Sequence, residues 1–444
     1  MRLPARSPFT RSLLASSVAL GTVGAAAFSL SAPASAETSR GVEIPAFYNA
    51  PASVPAAPGT LIRSEPMPLA VNLPVVFPGK ATRMMYSSID SSGKPVAVTG
   101  AFIQSTKPWT GSGPRPVVAF AVGTIGQGDQ CAPSYGLEHP VVLGIGSGGN
   151  TFGINYDMTQ MSTLLNQGYS IALTDYVGLG ATDRLHTYVN RVDQGHALLD
   201  AARAVRSLGV PATTPIGAWG YSQGGGAAAS AAELQPGYAP DVPLKGAYAG
   251  APPADLAVTL KGIDGNLIAG VIGYSLNGFA QSYPQIRPVV DANINAAGRA
   301  ALQDISTQCI GDTIGSYAFR KTSSWTNSGK SMSDIIAANP AAKQVLDEQR
   351  IGRSRPAAPV LVTSDIGDGT VPHPQVRQLA VDWCAKGANV TYRPFGLPDP
   401  TGDKAALHHV AGILEGLPGA LTWMKGRLAG QTVPSGCATL PAQP

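Results

Sequence analysis

A serine stands at the tip of a short, glycine-flanked motif near the middle of the chain. The motif Gly-Tyr-Ser-Gln-Gly occupies residues 220–224, after an apolar run and before an alanine-rich stretch. This order predicts a strand, a sharp turn and a helix, with the Ser222 hydroxyl held clear of the sheet. The turn requires small residues two positions before and after the serine, which Gly220 and Gly224 supply. Because the chain holds 52 glycines, a tight turn without chemistry is the alternative to a catalytic Ser222.

A serine hydroxyl becomes nucleophilic when an imidazole removes its proton, and a carboxylate must hold that imidazole in the right tautomer. In α/β-hydrolases the chain order is serine, acid, histidine. A late apolar strand is predicted at residues 358–363, and the loop that follows it offers Asp365 and Asp368. We expect Asp368 to be the acid. Asp365 lies nearer the strand end, where an aspartate often bonds local backbone and ties down the loop.

Three of the six histidines lie beyond this acid: His373, His408 and His409. His373 follows Asp368 by only five residues, at a predicted helix start, which makes it a poor partner. His408 and His409 precede the final predicted helix, where a loop can bring an imidazole to the serine. We expect His409, next to the helix start, to be the base. The other histidine of the pair would face solvent or the segment that covers the site.

Two backbone N–H groups are candidates for holding the oxyanion of an acyl-transfer reaction. Gln223 opens the predicted helix, so its N–H has no intrahelical acceptor and lies beside Ser222 at the positive helix end. The second donor is expected from the loop after the early strand at residues 116–122, where Thr124 stands. An ordinary glycine-rich strand-to-loop transition is the alternative for Thr124.

Strand and helix patterns alternate along most of the chain. This alternation predicts an α/β fold, with a mostly parallel central sheet covered by helices on both faces. Between residues 253 and 355 the alternation stops and the pattern is mostly helical, including 291–306 and 333–350, which predicts an inserted cap or lid. The predicted divisions are a secretory signal at 1–36, an α/β-hydrolase body at 37–252 and 356–444, and the cap at 253–355.

The first residues have the pattern of a secretory signal. Arg2, Arg6 and Arg11 precede an apolar run at 13–30 and a small-residue cleavage site at 34–36. A membrane anchor is the weaker alternative because polar residues and glycines interrupt the run and no basic stop-transfer cluster follows. We therefore expect a secreted, extracellular protein with no transmembrane segment after signal removal.

The charge balance argues against several classes of partner. The formal charge is +4, and removing the three signal arginines leaves +1 (4 − 3), so neither nucleic acid nor an anionic membrane surface is expected as an electrostatic partner. Charged residues make up 13% of the chain, against about 25% in a typical protein, which predicts a large core and an unusually uncharged surface. The oligomeric state is not indicated by the sequence.

Four cysteines, Cys131, Cys309, Cys384 and Cys437, lie far apart and form no C-x-x-C pair. In an exported chain, two disulfides are favoured over a metal site or a catalytic thiol, and the sequence allows three pairings. The acidic and histidine residues form no pattern of metal ligands, and no glycine-rich stretch has the context of a dinucleotide site. We expect neither a metal nor an organic cofactor.

With these residues assembled, the chain resembles the secretory lipase family, which includes Candida lipase A-like and actinobacterial exported lipases and esterases. The match extends over nearly the whole chain after the signal. It is carried by Phe47-Tyr48 with Pro58-Gly59-Thr60, Gly123-Thr124 running into Cys131-Ala132-Pro133-Ser134, Asp175-Tyr176-Val177-Gly178-Leu179-Gly180, the motif at 220–224, Asp368 with Val371-Pro372, and His409.

The resemblance implies an active site, a pairing of cysteines and a substrate class. The implied triad is Ser222, Asp368 and His409, and the helical segment becomes a lid over an acyl-binding tunnel. The implied disulfides join Cys131 to Cys309 and Cys384 to Cys437. The implied activity is hydrolysis of carboxylic esters, including acylglycerols at a lipid–water interface. One departure is Val122, where many bacterial relatives have histidine; it leaves the side-chain support of the oxyanion loop open.

Several functions compete within this interpretation. A short-chain esterase, a polyester-active carboxylesterase and a peptidase are possible on the same scaffold, because fold does not fix substrate. A catalytically silent surface-binding homologue is the alternative from another class. The segment 267–279 is uncharged. It could line an acyl tunnel, face a lipid interface or be a buried cap helix. Periodicity does not distinguish among these three roles.

Overall fold

The computed structural model describes Met1 and residues 36–146, 148–396 and 405–444. Residues 2–35, nearly all of the predicted secretory signal, lie outside the described residues. The strands in chain order are β1 (Glu37–Ser39), β2 (Val42–Ile44), β3 (Leu61–Met67), β4 (Gly79–Ile89), β5 (Pro95–Ser105), β6 (Val117–Ala121), β7 (Val141–Gly146), β8 (Gly149–Ile154), β9 (Ser170–Val177), β10 (Ile216–Tyr221), β11 (Leu244–Gly250), β12 (Val360–Asp365) and β13 (Val390–Phe395).

Helices lie between these strands and after the last one. They are α1 (Tyr135–Glu138), α2 (Met158–Asn166), α3 (Arg191–Ala204), α4 (Gln223–Tyr238), α5 (Leu256–Ile263), α6 (Val271–Ser282), α7 (Ile286–Asn293), α8 (Ala296–Ile305), α9 (Ile310–Tyr317), α10 (Met332–Ala338), α11 (Pro340–Gln349), α12 (His373–Ala385) and α13 (Leu407–Leu428). Short 3-10 helices lie at Ala46–Tyr48, Asp129–Cys131, Val205–Leu208, Thr322–Trp325 and Leu440–Ala442.

One large sheet organises the described residues. Its nine strands follow the order β13-β12-β11-β10-β6-β9-β5-β4-β3. Neighbours from β13 to β9 are parallel, whereas β5, β4 and β3 join as antiparallel strands at one edge. Every residue of β6, β9, β10 and β12 is buried, as expected for parallel strands covered on both faces. The carboxyl ends of β6, β10 and β12 therefore meet at one edge of the sheet, where the predicted site residues follow.

The segment between β11 and β12 is helical, and its buried side chains form a hydrophobic cluster distinct from the core of the sheet. Two helices that the sequence pattern predicted as continuous are broken, so those predictions were wrong in their extent. The range 291–306 is interrupted at Asn295, whose side chain accepts from Gly298 N and begins α8. The range 333–350 is interrupted at Asn339, which caps α11, with Pro340 at the first position. Local capping outweighed the continuous apolar period in both places.

Strands β7 and β8 pair with each other as an antiparallel two-stranded ribbon that is separate from the central sheet. The sequence pattern did not reveal it because its glycines read as loop residues. Asp312 of α9 fastens the ribbon to the helical segment: its carboxylate accepts from Thr151 Oγ1 at 2.8 Å and from Phe152 N.

Two disulfides are formed, Cys131 with Cys309 and Cys384 with Cys437, which is the pairing that the family resemblance implied. The first joins the loop after β6 to the start of α9, and the second joins α12 to the C-terminal segment. Among the described residues, no helix combines the length and apolarity needed to cross a membrane.

Candidate active site

Ser222 lies in the turn between β10 and α4, with φ 58° and ψ −123°. A non-glycine residue at positive φ is strained, and such strain is held in place only by surrounding structure. At Ser222 this surrounding structure is the backbone that packs closely against the two flanking glycines. A Cβ at Gly220 would lie 2.1 Å from Gly224 O, and a Cβ at Gly224 would lie 2.1 Å from Ala121 O. The predicted sharp turn is therefore present, and it presses the start of α4 against the end of β6.

His409 bridges Ser222 and Asp368. Its Nε2 lies 2.8 Å from Ser222 Oγ, and its Nδ1 lies 2.7 Å from Asp368 Oδ2. The other carboxylate oxygen, Asp368 Oδ1, accepts from Thr370 N at 2.9 Å and from Val371 N at 2.8 Å. These two backbone donors fix the carboxylate, so Oδ2 is left to receive Nδ1–H and the lone pair of Nε2 faces the serine hydroxyl. The structure thus brings together the three side chains that the sequence singled out.

Each member of this set is positioned by a different element. Asp368 follows the carboxyl end of β12, and His409 stands in the first turn of α13. The Tyr221 hydroxyl donates to His409 O at 2.9 Å, so the residue before the serine also fastens the backbone of the histidine. The Asp368 side chain is fully buried and that of His409 is 8% exposed, a setting in which their hydrogen bond is shielded from water.

The loop that carries Thr124 is held by side chains distant in sequence. The Tyr176 hydroxyl donates to Val122 O at 2.6 Å, and the Tyr156 hydroxyl donates to Thr124 O at 2.9 Å. Asp157 Oδ2 accepts from Gly123 N at 2.8 Å. Burial raises the pKa of Asp157 to about 6, although its hydrogen bonds act in the opposite direction. The support that Val122 lacks through its own side chain is therefore supplied by these groups.

The two candidate oxyanion donors differ in what their side chains do. Thr124 Oγ1 lies 2.6 Å from Tyr188 OH, and neither Thr124 N–H nor Gln223 N–H has a hydrogen-bond acceptor within the described ranges. Gln223 Nε2 lies 2.9 Å from His186 Nε2, while His186 Nδ1 lies 3.2 Å from Val177 O. Because a carbonyl only accepts, His186 carries its proton on Nδ1 and accepts from Gln223 at Nε2. Burial lowers the pKa of His186 to about 4, so its ring is neutral at pH 7.

Sequence reasoning did not identify His186, Asp157 or Tyr188. Nothing in their local sequence distinguishes them from ordinary core residues, since each acts only through a partner far away in the chain. His373 lies outside the site, as expected, at the start of α12 with its Nε2 3.2 Å from Tyr392 OH.

His408 does not face solvent, which was one of the two expectations for the second histidine. Its side chain is 5% exposed, and its Nδ1 lies 2.7 Å from Asp365 Oδ1. The same Asp365 oxygen accepts from Gly367 N at 2.6 Å, so Asp365 does bond local backbone. The site therefore holds two imidazole–carboxylate pairs side by side.

An apolar cleft lies within the helical segment and reaches Tyr188. Its lining includes Val271, Ile272, Leu276 and Phe279 of α6, a helix from the uncharged segment whose role the sequence left open. Because the Tyr188 hydroxyl contacts Thr124, this cleft adjoins the loop that carries Thr124. No group of three or more metal-ligating side chains is found in the described part of the chain.

Residues 143–436, more than half of the 444 residues, match the family model of secretory lipases. The chain belongs to the secretory lipase family. The resemblance drawn from the motifs is thereby confirmed.

Curated relatives of this family member have names that differ in what they imply. A protein of Mycobacterium tuberculosis named probable inactive lipase is 28% identical over 389 residues, covering 87% of this chain and 82% of the relative. Lipase 4 of Candida albicans is 26% identical over 404 residues, covering 88% of this chain and 82% of the relative.

Solved structures show the fold of this family member. Candida antarctica lipase A in its closed state is similar with a TM-score of 0.72 and 22% identity, over 87% of this chain and 86% of that one. The rice cell wall degrading esterase LipA from Xanthomonas oryzae is similar with a TM-score of 0.68 and 19% identity, over 85% of this chain and 100% of that one. The predicted α/β-hydrolase fold is confirmed.

Proposed function

We propose that this family member is a secreted serine hydrolase that cleaves carboxylic esters, and that it acts as a lipase on acylglycerols. The observation that carries the proposal is the position of His409, within hydrogen-bond distance of both Ser222 Oγ and Asp368 Oδ2. A nucleophile, a base and an orienting carboxylate in contact are the minimum set for covalent acyl transfer. Membership in the secretory lipase family supports the same reaction class.

The proposed reaction proceeds through an acyl-enzyme in two halves. Ser222 Oγ attacks the ester carbonyl carbon while His409 Nε2 takes the hydroxyl proton, and a tetrahedral oxyanion forms. When the C–O bond to the alcohol breaks, His409 returns that proton to the departing oxygen. Water then attacks the acyl-enzyme with His409 again as base, which releases the carboxylic acid and restores Ser222. The Asp368 carboxylate orients the imidazole and stabilises the transient imidazolium.

The backbone N–H groups of Thr124 and Gln223 are the proposed oxyanion donors. Both are left without an acceptor in the described residues, and Gln223 stands at the N-terminus of α4, where the helix dipole favours negative charge. Removing one such donor typically lowers kcat about 10²- to 10³-fold. The hydrogen bonds that hold residues 122–124 therefore matter directly for the rate.

The helical segment 253–355 is proposed to be the cap, and the apolar cleft within it the acyl-binding site. The cleft is lined almost wholly by aliphatic side chains, which suits a hydrocarbon chain and offers no charge to a peptide substrate. Its contact with Tyr188 places it next to the proposed oxyanion loop. A long-chain ester fits this arrangement better than a peptide does.

The ribbon β7–β8 supports action at a neutral lipid–water interface. Val141, Leu143 and Ile145 alternate along β7, and Leu143 pairs with Phe152 and Val141 with Ile154, so all five lie on one face. Their exposed fractions run from 45% to 87%. No charged residue occurs between 141 and 154, which matches an uncharged lipid surface and contrasts with the charged residues that normally protect an exposed strand edge.

The ribbon also leads directly to the proposed site. Tyr156, two residues after β8, donates to Thr124 O. An ester aggregate held against the ribbon would therefore lie beside the oxyanion loop.

We expect the double variant Leu143→Asp/Ile145→Asp to lose most activity on emulsified long-chain esters while its activity on a dissolved short-chain ester stays near that of the wild type. Val258→Asp, at an exposed apolar residue of α5, is the matched control. Equal loss on both substrates would contradict interfacial docking by the ribbon.

The decisive test of catalysis is labelling of the serine by a fluorophosphonate. The wild type should be labelled stoichiometrically at Ser222 and should hydrolyse p-nitrophenyl esters, whereas Ser222→Ala should do neither. Ser306→Ala, at a half-buried serine of the helical segment, controls for substitution as such. Folded wild type that takes up no label would favour the silent, surface-binding alternative. The mycobacterial relative is itself named a probable inactive lipase. A profile over acyl lengths then separates a lipase from a short-chain or polyester-active esterase.

Secretion is supported by the two disulfides, which form and persist in oxidising compartments, and by the family. Sequencing the N-terminus of protein from the culture medium should return a chain that begins at Glu37. A cell-bound protein that retains Arg2, Arg6 and Arg11 would contradict this assignment.

A further inference from the structure

A second imidazole–carboxylate pair lies beside the proposed catalytic one. His408 Nδ1 lies 2.7 Å from Asp365 Oδ1, and His409 Nδ1 lies 2.7 Å from Asp368 Oδ2. Both carboxylates are fully buried, and the two imidazoles are 5% and 8% exposed. The loop after β12 and the first turn of α13 are thus joined by two adjacent hydrogen bonds of the same kind.

The two imidazoles cannot exchange roles. Adjacent residues of an α-helix project about 100° apart, so a helix that aims His409 at Ser222 aims His408 elsewhere. The His408 ring also has a steric neighbour: a Cβ at residue 367 would lie 2.5 Å from its Cε1 atom, so only glycine at this position leaves room for the ring. His408 is therefore not a second base for the same serine.

Asp365 connects His408 to the central sheet. It is the last residue of β12 and pairs with Phe395 of β13 in the sheet. Its Oδ1 also accepts from Gly367 N, which fixes the carboxylate against its own backbone. The hydrogen bond from His408 to this carboxylate therefore attaches the start of α13 to the end of β12. The attachment lies one residue before His409.

The start of α13 needs such an anchor. Ala406, which precedes the helix, has left-handed angles of φ 56° and ψ 24°, and its methyl side chain cannot cap the helix. Leu407 and Val410 on either side of the histidines are exposed at 59% and 57%, so they contribute little packing. The histidines of this turn contact the two carboxylates, Ser222 and the Tyr221 hydroxyl.

We infer that Asp365 and His408 are a positioning pair, which holds His409 at the distance from Ser222 that proton transfer requires. The inference rests on the proposed function. General-base catalysis needs the heavy atoms within about 2.6–3.2 Å, and a displacement near 1 Å can cost about 10²-fold in rate. Because neither Asp365 nor His408 lines the acyl cleft, we expect loss of the pair to slow the chemical step and to leave substrate binding unchanged.

The test uses His408→Leu, which removes the Nδ1 donor, and His408→Asn, whose amide N–H₂ can reach the same carboxylate oxygen. His373→Leu is the matched control, since His373 is a buried histidine outside the site. For each variant, kcat and KM on a dissolved short-chain ester, the second-order rate of fluorophosphonate labelling and the melting temperature are measured.

We expect His408→Leu to lower kcat and the labelling rate together by about 10- to 100-fold, with KM changed less than about threefold. His408→Asn should recover most of both rates, and His373→Leu should leave both unchanged whatever it does to the melting temperature. A His408→Leu variant that melts earlier but keeps both rates would overturn the inference, because its role would then be stability alone. A raised KM with an unchanged kcat would overturn it as well.

Two outcomes separate this inference from the proposed function. Wild type that is not labelled contradicts the proposed function and the positioning role with it. Labelled wild type with an unimpaired His408→Leu variant contradicts only the positioning role. If His408→Leu does not fold, Asp365→Asn carries the test, since it keeps the shape and weakens the hydrogen bond. It should lower kcat by several-fold at constant KM, and an unchanged kcat would overturn the inference.

Discussion

His409 Nε2 lies 2.8 Å from Ser222 Oγ, although 187 residues separate the two in sequence. A second hydrogen bond joins the same two segments: the hydroxyl of Tyr221, the residue before the serine, donates to the backbone carbonyl of His409. The serine turn and the last helix are therefore fastened through backbone and side chain together. Changes to either fastening should affect the rate before they affect the fold.

The first prediction concerns the serine turn. Gly220→Ala should lower the free energy of unfolding by at least about 3 kcal/mol, since its Cβ would lie 2.1 Å from the backbone oxygen of Gly224. Gly237→Ala, near the end of the same helix with open space around it, should be neutral or stabilise by up to about 1 kcal/mol. Urea unfolding of both variants is the measurement, and equal stabilities would contradict the steric argument.

The second prediction concerns the acid. In Asp368→Asn, the amide oxygen can keep the hydrogen bonds from Thr370 N and Val371 N, which turns the amide N–H₂ toward His409 Nδ1. The imidazole must then carry its proton on Nε2 and cannot accept from the serine. We expect kcat to fall about 10⁴-fold with a nearly unchanged melting temperature. Asp382→Asn, in an ion pair at the surface, should keep full activity. Comparable kcat values for both variants would exclude Asp368 from the triad.

The third prediction concerns the support of the oxyanion loop. Tyr188→Phe removes the hydroxyl that contacts Thr124 Oγ1, and Thr124→Val removes the other partner. Each should lower kcat about 5- to 10-fold, which corresponds to about 1 kcal/mol for one hydrogen bond. In the double variant the effects should not add, because both substitutions delete the same interaction. Strictly additive losses in kcat would show that the two side chains act separately.

The fourth prediction concerns acid stability. The His186 ring has a folded pKa of about 4, below the ordinary 6.5, because burial disfavours the charged ring. Since the unfolded chain binds a proton below pH 6.5 and the folded chain does not until pH 4, this stabilising contribution is complete above pH 6.5 and is lost as the pH falls toward 4. The wild type should lose about 3 kcal/mol more than His186→Gln between pH 7 and pH 4.

Urea unfolding at a series of pH values measures this difference. His196, whose pKa burial also lowers to about 4, is present in both proteins and cancels in the comparison. Parallel stability curves for the two proteins would mean that His186 titrates normally in the folded state.

The local geometry of the site could be predicted from the sequence. A small residue on each side of Ser222, a strand before it and a helix after it can be read from neighbouring residues, because backbone angles and helix starts depend on short-range sterics. The alternation of strand and helix patterns likewise predicted the mostly parallel sheet. Parallel strands then bring their carboxyl ends to one edge, so Asp368 and the loop of Thr124 could be assigned to the same region.

The tertiary structure decided which distant groups meet. From their neighbours in sequence, Asp365 and His408 are each interpreted as loop residues. Only the packing of α13 against the end of β12 makes them a buried pair. Tyr156 and Tyr176 support the oxyanion loop through hydroxyls whose acceptors lie more than thirty residues away. Such contacts carry no sequence signature because side-chain hydrogen bonds depend on position in space, whereas propensity and periodicity depend only on neighbours along the chain.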